Sequence, residues 1–458
     1  MAINLRNRFM ALAATVVLCA SASAQTQQLT AELLLDPIVD NYGPKYSDVQ
    51  SALDSLRAGN VDEARKSLDT AYSKNPDLPP PNVLLAQIMF QARKPDAGSQ
   101  ALNEATRTHP KDPGAFIYLG DLALQKRELG VAQSMWSKGI DLCSSYNANK
   151  KRRARLLSKG YGGLALLKES AKEWDAAADL LGKVLQSDPD NPAALTRLGR
   201  VQFMGAKNET QERVAYETFK KAHDSAPETT ARPEVNMGML YGQKGSDARA
   251  EYFMDLAVKR DGSNIKTLLS VTKWAMDAGK LEKASANVAA ASKIEPNSLE
   301  VLVYKGLIDR FNGKFAAAEQ AFRAAHFRSP KHLGAMTQLA LALASQEDEE
   351  KKKLGLAFAD LCVRVYTDLK QSSGRESAVV LAWCLSRVGQ SAPAAQAVAR
   401  VLNQGSISAD SAYYAAQIIY DAGQSNAAQK VLESALKNDR AFPNRSKAEE
   451  LMNRINQG

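Results

Sequence analysis

The feature of this sequence that most restricts its fold is a repeated pattern with a period of about 34 residues. Segments 51–76, 271–296 and 305–330 show it clearly. Each has an apolar helical stretch, a glycine, a second amphipathic stretch rich in alanine, and then a proline. Apolar residues spaced three and four apart predict amphipathic helices, and a proline ends a helix because it cannot continue the hydrogen-bond ladder. The pattern therefore predicts a tandem array of helix pairs.

Eleven repeats can be laid out along the chain, and seven of the ten successive spacings are identical. The other three spacings are longer, which predicts insertions between repeats 3 and 4, inside repeat 5 and inside repeat 9. The repeats begin near residues 45, 79, 113, 158, 192, 231, 265, 299, 333, 375 and 409.

Three positions of each repeat follow from how two helices pack. Antiparallel helices approach closely only where side chains are small, so the eighth and twentieth positions should be small and the twenty-fourth should fill the remaining space. The eighth position holds only alanine, glycine or threonine. The twentieth position reads Ala64, Gly98, Ala132, Ala177, Ala215, Ala250, Ala284, Ala318, Ala357, Ala394 and Ala428. The twenty-fourth reads Leu68, Leu102, Trp136, Leu181, Phe219, Met254, Val288, Phe322, Leu361, Val398 and Leu432.

This pattern resembles the tetratricopeptide repeat (TPR), whose period is about 34 residues. The resemblance covers residues 45–442 and implies an all-α fold, an α-solenoid in the form of a right-handed superhelix of about eleven helix pairs. Residues 443–458 contain the segment SKAEELMNRIN, which we interpret as a C-terminal capping helix. Such a cap is needed because the last repeat would otherwise expose an apolar face to water.

The N-terminus is interpreted as a targeting segment. Residues 1–24 carry two arginines and no acidic residue, then an apolar stretch from Phe9 to Ala20, then the small residues Ala22-Ser23-Ala24. A basic start, a short apolar region and an A-x-A site are typical of a secretory signal peptide. We therefore expect export, to the periplasm first and to the extracellular medium second, with 25–44 as a leader before the repeats.

Candidate catalytic chemistry is sparse in this sequence. The repeats leave no segment long enough for a separate catalytic domain, and the four histidines have no partner at metal-ligand spacing. The glycines of KGYGGLALL (159–167) lack the spacing of a phosphate-binding loop. We expect no enzyme, no cofactor and no metal. Two alternatives stay open, an enzyme with a site built into the solenoid and an RNA-binding helical-repeat protein, although the latter needs a repeated base-reading code.

The charge balance is mildly basic, since 59 Lys and Arg face 50 Asp and Glu for a net charge of +9. Removal of residues 1–24 would lower this charge by two. Such an excess suits an acidic protein partner or a peripheral association with an anionic envelope surface, while export argues against nucleic acid. The run Lys150–Arg155 has two interpretations, an anion-docking patch or the solvated face of a long helix.

The TPR resemblance implies that a peptide or protein partner binds a groove lined by first-helix positions 2, 5, 9, 12 and 13. No lysine stands at position 5 in any repeat, so the carboxylate clamp of co-chaperone TPR proteins is absent. The predicted partner-binding residues are Arg200, Phe203, Arg232, Met239, Lys266, Lys273, Phe311, Trp383, Tyr413 and Tyr420. The alternative for the apolar members is that they pack as core.

These observations predict an exported TPR scaffold that binds a protein partner in a cell-envelope assembly of the secretion, pilus or polysaccharide-export type. Cys362 and Cys384 fall on neighbouring predicted helices. A disulfide between them and a pair of buried free thiols both fit the sequence, since Cα atoms must approach to about 4.4–6.8 Å for a bridge.

Overall fold

The computed structural model describes residues 47–437 and 441–457. The predicted signal peptide (1–24) and leader (25–44) lie outside these residues. The described part of the chain contains helices and no strand, which confirms the predicted all-α fold. It forms two compact units, an N-terminal unit that ends at Glu251 and a C-terminal unit that begins at Tyr252.

Twenty-three helices are described, and we number them α1 to α23. Those of repeats 1–6 are α1 (Ser47–Arg57), α2 (Val61–Lys74), α3 (Pro81–Gln91), α4 (Pro95–Thr108), α5 (Pro113–Gln125), α6 (Leu129–Cys143), α7 (Lys150–Ser170), α8 (Trp174–Ser187), α9 (Pro192–Gly205), α10 (Glu209–Ser225), α11 (Pro233–Gln243) and α12 (Asp247–Asp261). The remainder are α13 (Ile265–Asp277), α14 (Leu281–Ile294), α15 (Leu299–Phe311), α16 (Phe315–Arg328), α17 (Leu333–Ala344), α18 (Glu349–Val365), α19 (Ser372–Arg387), α20 (Ser391–Leu402), α21 (Ala409–Asp421), α22 (Ser425–Leu436) and α23 (Arg445–Gln457).

Odd-numbered helices up to α21 are the first helices of the repeats, and even-numbered helices are the second. Within each unit a first helix packs against the second helix of its own repeat, and that second helix packs against the next repeat. Each repeat thus buries its apolar faces against its neighbours along the chain, as a solenoid requires. The solenoid prediction is confirmed.

The packing positions behave as the sequence predicts in ten of the eleven repeats. There the alanine or glycine at position twenty and the larger residue at position twenty-four are both buried. The glycines at position eight have a specific reason. A Cβ atom added to Gly120 would lie 2.5 Å from Trp136, one on Gly199 would lie 2.8 Å from Phe219, and one on Gly306 would lie 2.6 Å from Phe322. An aromatic ring at position twenty-four therefore requires a glycine at position eight.

Repeat 9 corrects the predicted register. Ala357 and Leu361 were expected to be buried at positions twenty and twenty-four, but both are exposed, Leu361 to 49 %. The buried residues of α18 are instead Lys352, Gly355, Ala359 and Cys362. A Cβ atom on Gly355 would lie 2.9 Å from the backbone oxygen of Ala340, so Gly355 makes the close helix contact. The register lies two residues earlier than predicted.

The three insertions lengthen helices that each begin with an Asn or Asp N-cap residue. Helix α7 has 21 residues, and α10 and α18 have 17 each. The side chain of Asn149 accepts a hydrogen bond from the backbone N–H of Arg152, and Asn208 and Asp348 do the same three residues ahead. These side chains satisfy N–H groups that a helix start leaves unpaired, which fixes where each long helix begins.

The basic run at the start of α7 is only partly a surface feature. Arg152 is completely buried and makes a two-pronged ion pair with Asp112, with N–O distances of 2.6 and 2.8 Å. Its guanidinium also donates to the hydroxyl of Tyr146 at 2.8 Å, and Asp112 caps the start of α5 through the N–H of Gly114. Lys150 and Lys151 remain exposed. The central arginine is therefore a structural link between α5 and α7.

The cysteines allow a first test. Cys143, Cys362 and Cys384 are buried free thiols in the structure. Burial raises the pKa of Cys143 to about 11 and also raises the pKa values of Cys362 and Cys384. Because the thiolate is the reactive form, we expect little reaction with a thiol reagent at pH 8 in the folded state. After denaturation without reductant, protein lacking residues 1–24 should show three thiols, whereas a single thiol would reveal a disulfide between Cys362 and Cys384.

Candidate partner-binding surface

In the N-terminal unit the first helices carry linked polar side chains. Glu169 of α7 is nearly buried and accepts hydrogen bonds from Arg197 of the next first helix at 2.6 and 3.1 Å. Arg200 approaches the other oxygen of the same carboxylate at 3.5 Å, and its side chain is 53 % exposed. This arrangement joins repeats 4 and 5 and leaves one arginine available at the surface.

A second polar group lies on repeats 3 and 4. The indole N–H of Trp136 donates to Asp121 at 2.9 Å, and Lys159 lies 3.5 Å from the same carboxylate. Burial raises the pKa of Asp121, although Lys159 and the indole hydrogen bond act in the opposite direction. Next to them, Gln87 is buried and donates to the hydroxyl of Tyr118 at 3.1 Å. These contacts link the helices of repeats 2, 3 and 4, and their aromatic rings are buried between the helices.

In the C-terminal unit the first helices of four repeats meet at a buried arginine. Arg310 of α15 bonds to Gln338 of α17, to Asp410 of α21 at 2.9 Å and to the hydroxyl of Tyr414 at 2.8 Å. Trp383 of α19 packs on the Tyr414 ring with centroids 4.8 Å apart. Burial alone would lower the pKa of Arg310, but its contacts with Tyr414 and Asp410 outweigh burial and raise it. We call these five residues the Arg310 cluster.

The C-terminal segment, residues 441–457, adds to this cluster. The side-chain amide of Asn444 donates to Asp410 and to the hydroxyl of Tyr414, both at 2.8 Å. Farther along, Lys447 lies 5.2 Å from the ring centroid of Phe315, at the start of α16. The terminal helix α23 therefore contacts more than the last repeat, whereas the sequence predicted only a cap there.

The structure separates the predicted site residues of the N-terminal unit into two kinds. Arg200 is exposed, Met239 is half-buried and Arg232 pairs with Glu234 at 3.1 Å. Phe203 is completely buried, with its ring 4.9 Å from that of Tyr241 and Lys244 packed 4.2 Å above it. The Phe203 ring therefore belongs to the core of the repeats and does not present a face to a partner.

The predicted site residues of the C-terminal unit also divide. Lys266 is exposed at the start of α13, Lys273 pairs with Asp277 at 3.1 Å, and Phe311 is half-buried. Tyr413 is only 7 % exposed and packs edge-on against Tyr414. Two half-buried aromatic residues complete the set. They are Trp383, whose Nε1 is buried without a hydrogen-bond partner among the described residues, and Tyr420.

Arg310, Tyr414 and Asn444 were missed by sequence reasoning. Arg310 stands at position twelve of repeat 8, which is a groove position, and it follows Asp309 and precedes Phe311 in the segment LIDRF. A charged residue at a groove position was the available signal. Its partner Asp410 lies 100 residues away, a separation at which the repeat period predicts no contact.

The histidines have local structural partners. His332 caps α17 by accepting the N–H of Ala335 at 2.9 Å, and burial lowers its pKa. His326 packs edge-on against Phe358. Among the described residues, no three His, Cys, Asp or Glu side chains gather as a metal site would require. Across the same residues we find no helix with the length and apolarity needed to cross a bilayer.

Comparisons with known proteins bear on the family. A family model described as "Tetratricopeptide repeat" matches residues 55–116. The chain is similar to the TPR repeat-containing protein PA4667 of Pseudomonas aeruginosa, with 25 % identity over 170 residues. That alignment covers 37 % of this chain, and the chain spans only 27 % of the length of this relative.

Solved structures give broader but weaker likenesses. The crystal structure of yeast Tom70 has a TM-score of 0.37 at 14 % identity, covering 90 % of this chain and 95 % of Tom70. A tetratricopeptide repeat protein from Parabacteroides merdae has a TM-score of 0.34 at 12 % identity, covering 66 % of this chain and 99 % of its own. Pseudomonas aeruginosa pilF has a TM-score of 0.33 at 16 % identity, covering 44 % of this chain and 88 % of its own. The repeat match at residues 55–116, together with the helix pairs that continue after it in the described residues, supports the resemblance of the chain to tetratricopeptide repeat proteins.

Proposed function

We propose that this protein is a non-enzymatic scaffold that binds a protein partner along the first-helix surfaces of its repeats. One observation carries the proposal. Every described helix is either half of a TPR pair or the terminal helix α23, so the described chain consists of stacked repeats. Stacked repeats create extended binding surfaces rather than enclosed reaction sites.

The charges on these surfaces refine the expected partner. Arg200, Arg232 and Lys273 each have a carboxylate within 3.5 Å, from Glu169, Glu234 and Asp277 respectively. An acidic partner must compete with these internal carboxylates for the basic side chains. The ion pairs that it forms at the exposed surface would contribute little binding free energy. We therefore propose a partner with acidic groups and additional apolar contacts, in which charge serves mainly for steering.

Site-specific cross-linking tests which surface binds. A photoreactive amino acid at Arg200, on a first helix, should cross-link the partner in cells. The same residue at Lys221, on the second helix α10, is the matched control, because the two side chains are 53 % and 52 % exposed. Equal cross-linking from both positions, or cross-linking from Lys221 alone, would place the partner elsewhere.

We further propose that the protein is exported and serves a cell-envelope assembly. The support is the sequence of residues 1–24, with its basic start, short apolar stretch and A-x-A site. N-terminal sequencing of periplasmic protein should begin at or near Gln25. Full-length protein that begins at Met1 and remains in the cytoplasm would contradict export.

A further inference from the structure

We propose that the surface formed by α21, α22 and the start of α16 in the C-terminal unit binds a basic amphipathic helix, and that residues 441–457 occupy this surface in the free chain as an internal substitute. The inference rests on the proposed scaffold function and names the chemistry of one partner. It starts from the course of the C-terminal segment across the repeats of its own unit.

The C-terminal segment reaches well beyond the last repeat. Ala441 lies against the turn of repeat 7, where a Cβ atom on Gly279 would be 3.2 Å from that of Ala441. Lys447 lies over Phe315 of repeat 8, and Arg454 lies 5.8 Å from the ring centroid of Tyr420 in repeat 11. A cap needs to cover only the exposed face of the final helix pair. Contacts with repeats 7 and 8 exceed that requirement.

The segment binds in the manner of a helical ligand. Ala448 and Leu451 are completely buried, and Met452 and Ile455 pack against the same apolar cluster. These four residues follow the spacing i, i+3, i+4 and i+7, which places them on one face of α23. Glu449, Glu450 and Asn453 are exposed on the other face. An amphipathic helix laid with its apolar face in a groove is a recurring mode of peptide recognition.

The surface beneath the segment sets the polar requirements of a ligand. Asp410 and Tyr414 accept hydrogen bonds from the Asn444 amide, and the buried Arg310 holds both of them in place. Two aromatic rings of this surface pack against cations of the segment: Phe315 against Lys447, and Tyr420 against Arg454. A matching partner helix therefore carries an amide donor before its first turn and cations three and ten residues after it.

The internal segment and a partner helix compete for the same surface, and only the internal segment is covalently attached to the chain. The internal segment is tethered, so its effective concentration is on the order of mM and it masks the surface from weak ligands. A partner helix with the same contacts gains access when it binds more tightly or when the segment is released. The surface would then select for strong ligands.

Exchange of the segment tests the proposal directly. A protease site placed between Lys437 and Ala441 of the full chain allows cleavage without removing any repeat. Fluorescence anisotropy with a labelled peptide of sequence 441–457 should show binding to the cleaved protein, and binding to uncleaved protein about tenfold weaker or more. A peptide with Asn444, Lys447 and Arg454 replaced by alanine should lose most of its affinity, whereas Glu450→Ala, on the exposed face, should not.

Failure of the cleaved protein to exchange its segment would overturn the proposal. So would loss of helicity by circular dichroism in the repeats when the segment is removed, because the segment would then be a structural cap only. In the intact chain, Lys447→Glu with Arg454→Glu keeps Leu451 buried, and hydrogen exchange within 445–457 should then accelerate. Unchanged exchange would also contradict the proposal. None of these measurements uses the cellular partner. A failed cross-link at Arg200 would therefore contradict the proposed scaffold function without changing the result expected for the C-terminal segment.

Discussion

Replacing Arg310 with alanine should lower the free energy of unfolding of the C-terminal unit by about 3–5 kcal/mol. Removal of the guanidinium leaves the carboxylate of Asp410 and the hydroxyl of the buried Tyr414 without their charged partner and with only the Asn444 amide as a donor. The Asp410 side chain is only 16 % exposed, so water compensates only in part for the lost ion pair. Urea unfolding of the full chain, followed by circular dichroism, measures the effect, with the lower-stability transition assigned by hydrogen exchange.

The matched control removes both charges together. Arg310→Met with Asp410→Asn takes out the ion pair while keeping apolar volume and a side chain that can bond to Tyr414. Because paired removal leaves no buried charge, the double variant should recover at least half of the stability lost by Arg310→Ala. An Arg310→Ala protein within about 1 kcal/mol of the parent would show that the cluster is not a major source of stability.

Replacing Trp136 with alanine should cost the N-terminal unit a similar amount, about 3–5 kcal/mol. The indole is only 1 % exposed and lies between two glycines, since Cβ atoms on Gly120 and Gly163 would both lie 2.5 Å from it. Helices α5 and α7 are held around this ring and can collapse only partly into the space it leaves. The measurement is again urea unfolding followed by circular dichroism.

Trp136→Phe serves as the control, because it keeps an aromatic ring but loses the hydrogen bond to Asp121. We expect it to cost clearly less than Trp136→Ala. Equal losses from the two variants would mean that the hydrogen bond, rather than the filled volume, stabilises this part of the unit. Gly120→Ala should also destabilise, by about 1–3 kcal/mol, because it forces a methyl group against the ring.

Much of this fold could be predicted because the decisive contacts recur within one repeat. The pairing of a small residue such as Gly306 with a large one such as Phe322 falls inside a single helix pair and returns at a constant period. Repeat 9 shows the limit of that logic. The insertion in this repeat makes the register ambiguous, because Ala357 and Gly355 are both small enough for position twenty. Only the close packing of Gly355 against Ala340 in the structure shows which of the two occupies that position.

The binding surface was less predictable because it depends on contacts between distant repeats. Phe203 and Tyr413 occupy groove positions by their register, yet both are buried. How closely successive repeats stack depends on every interface between them. No single repeat contains that information, so Asn444 could not be matched to Asp410 from the sequence.

The matching of glycine to aromatic ring has a consequence for how such a chain can change. A crossover between gene segments that joined the first helix of repeat 2 to the second helix of repeat 3 would set the methyl group of Ala86 against the indole of Trp136. The two helices of a pair that contains such a ring must therefore be inherited together. Duplication or loss of whole pairs preserves the fit, while recombination at the turn inside a pair breaks it. The lineage of this protein should thus record gains and losses in steps of complete repeats.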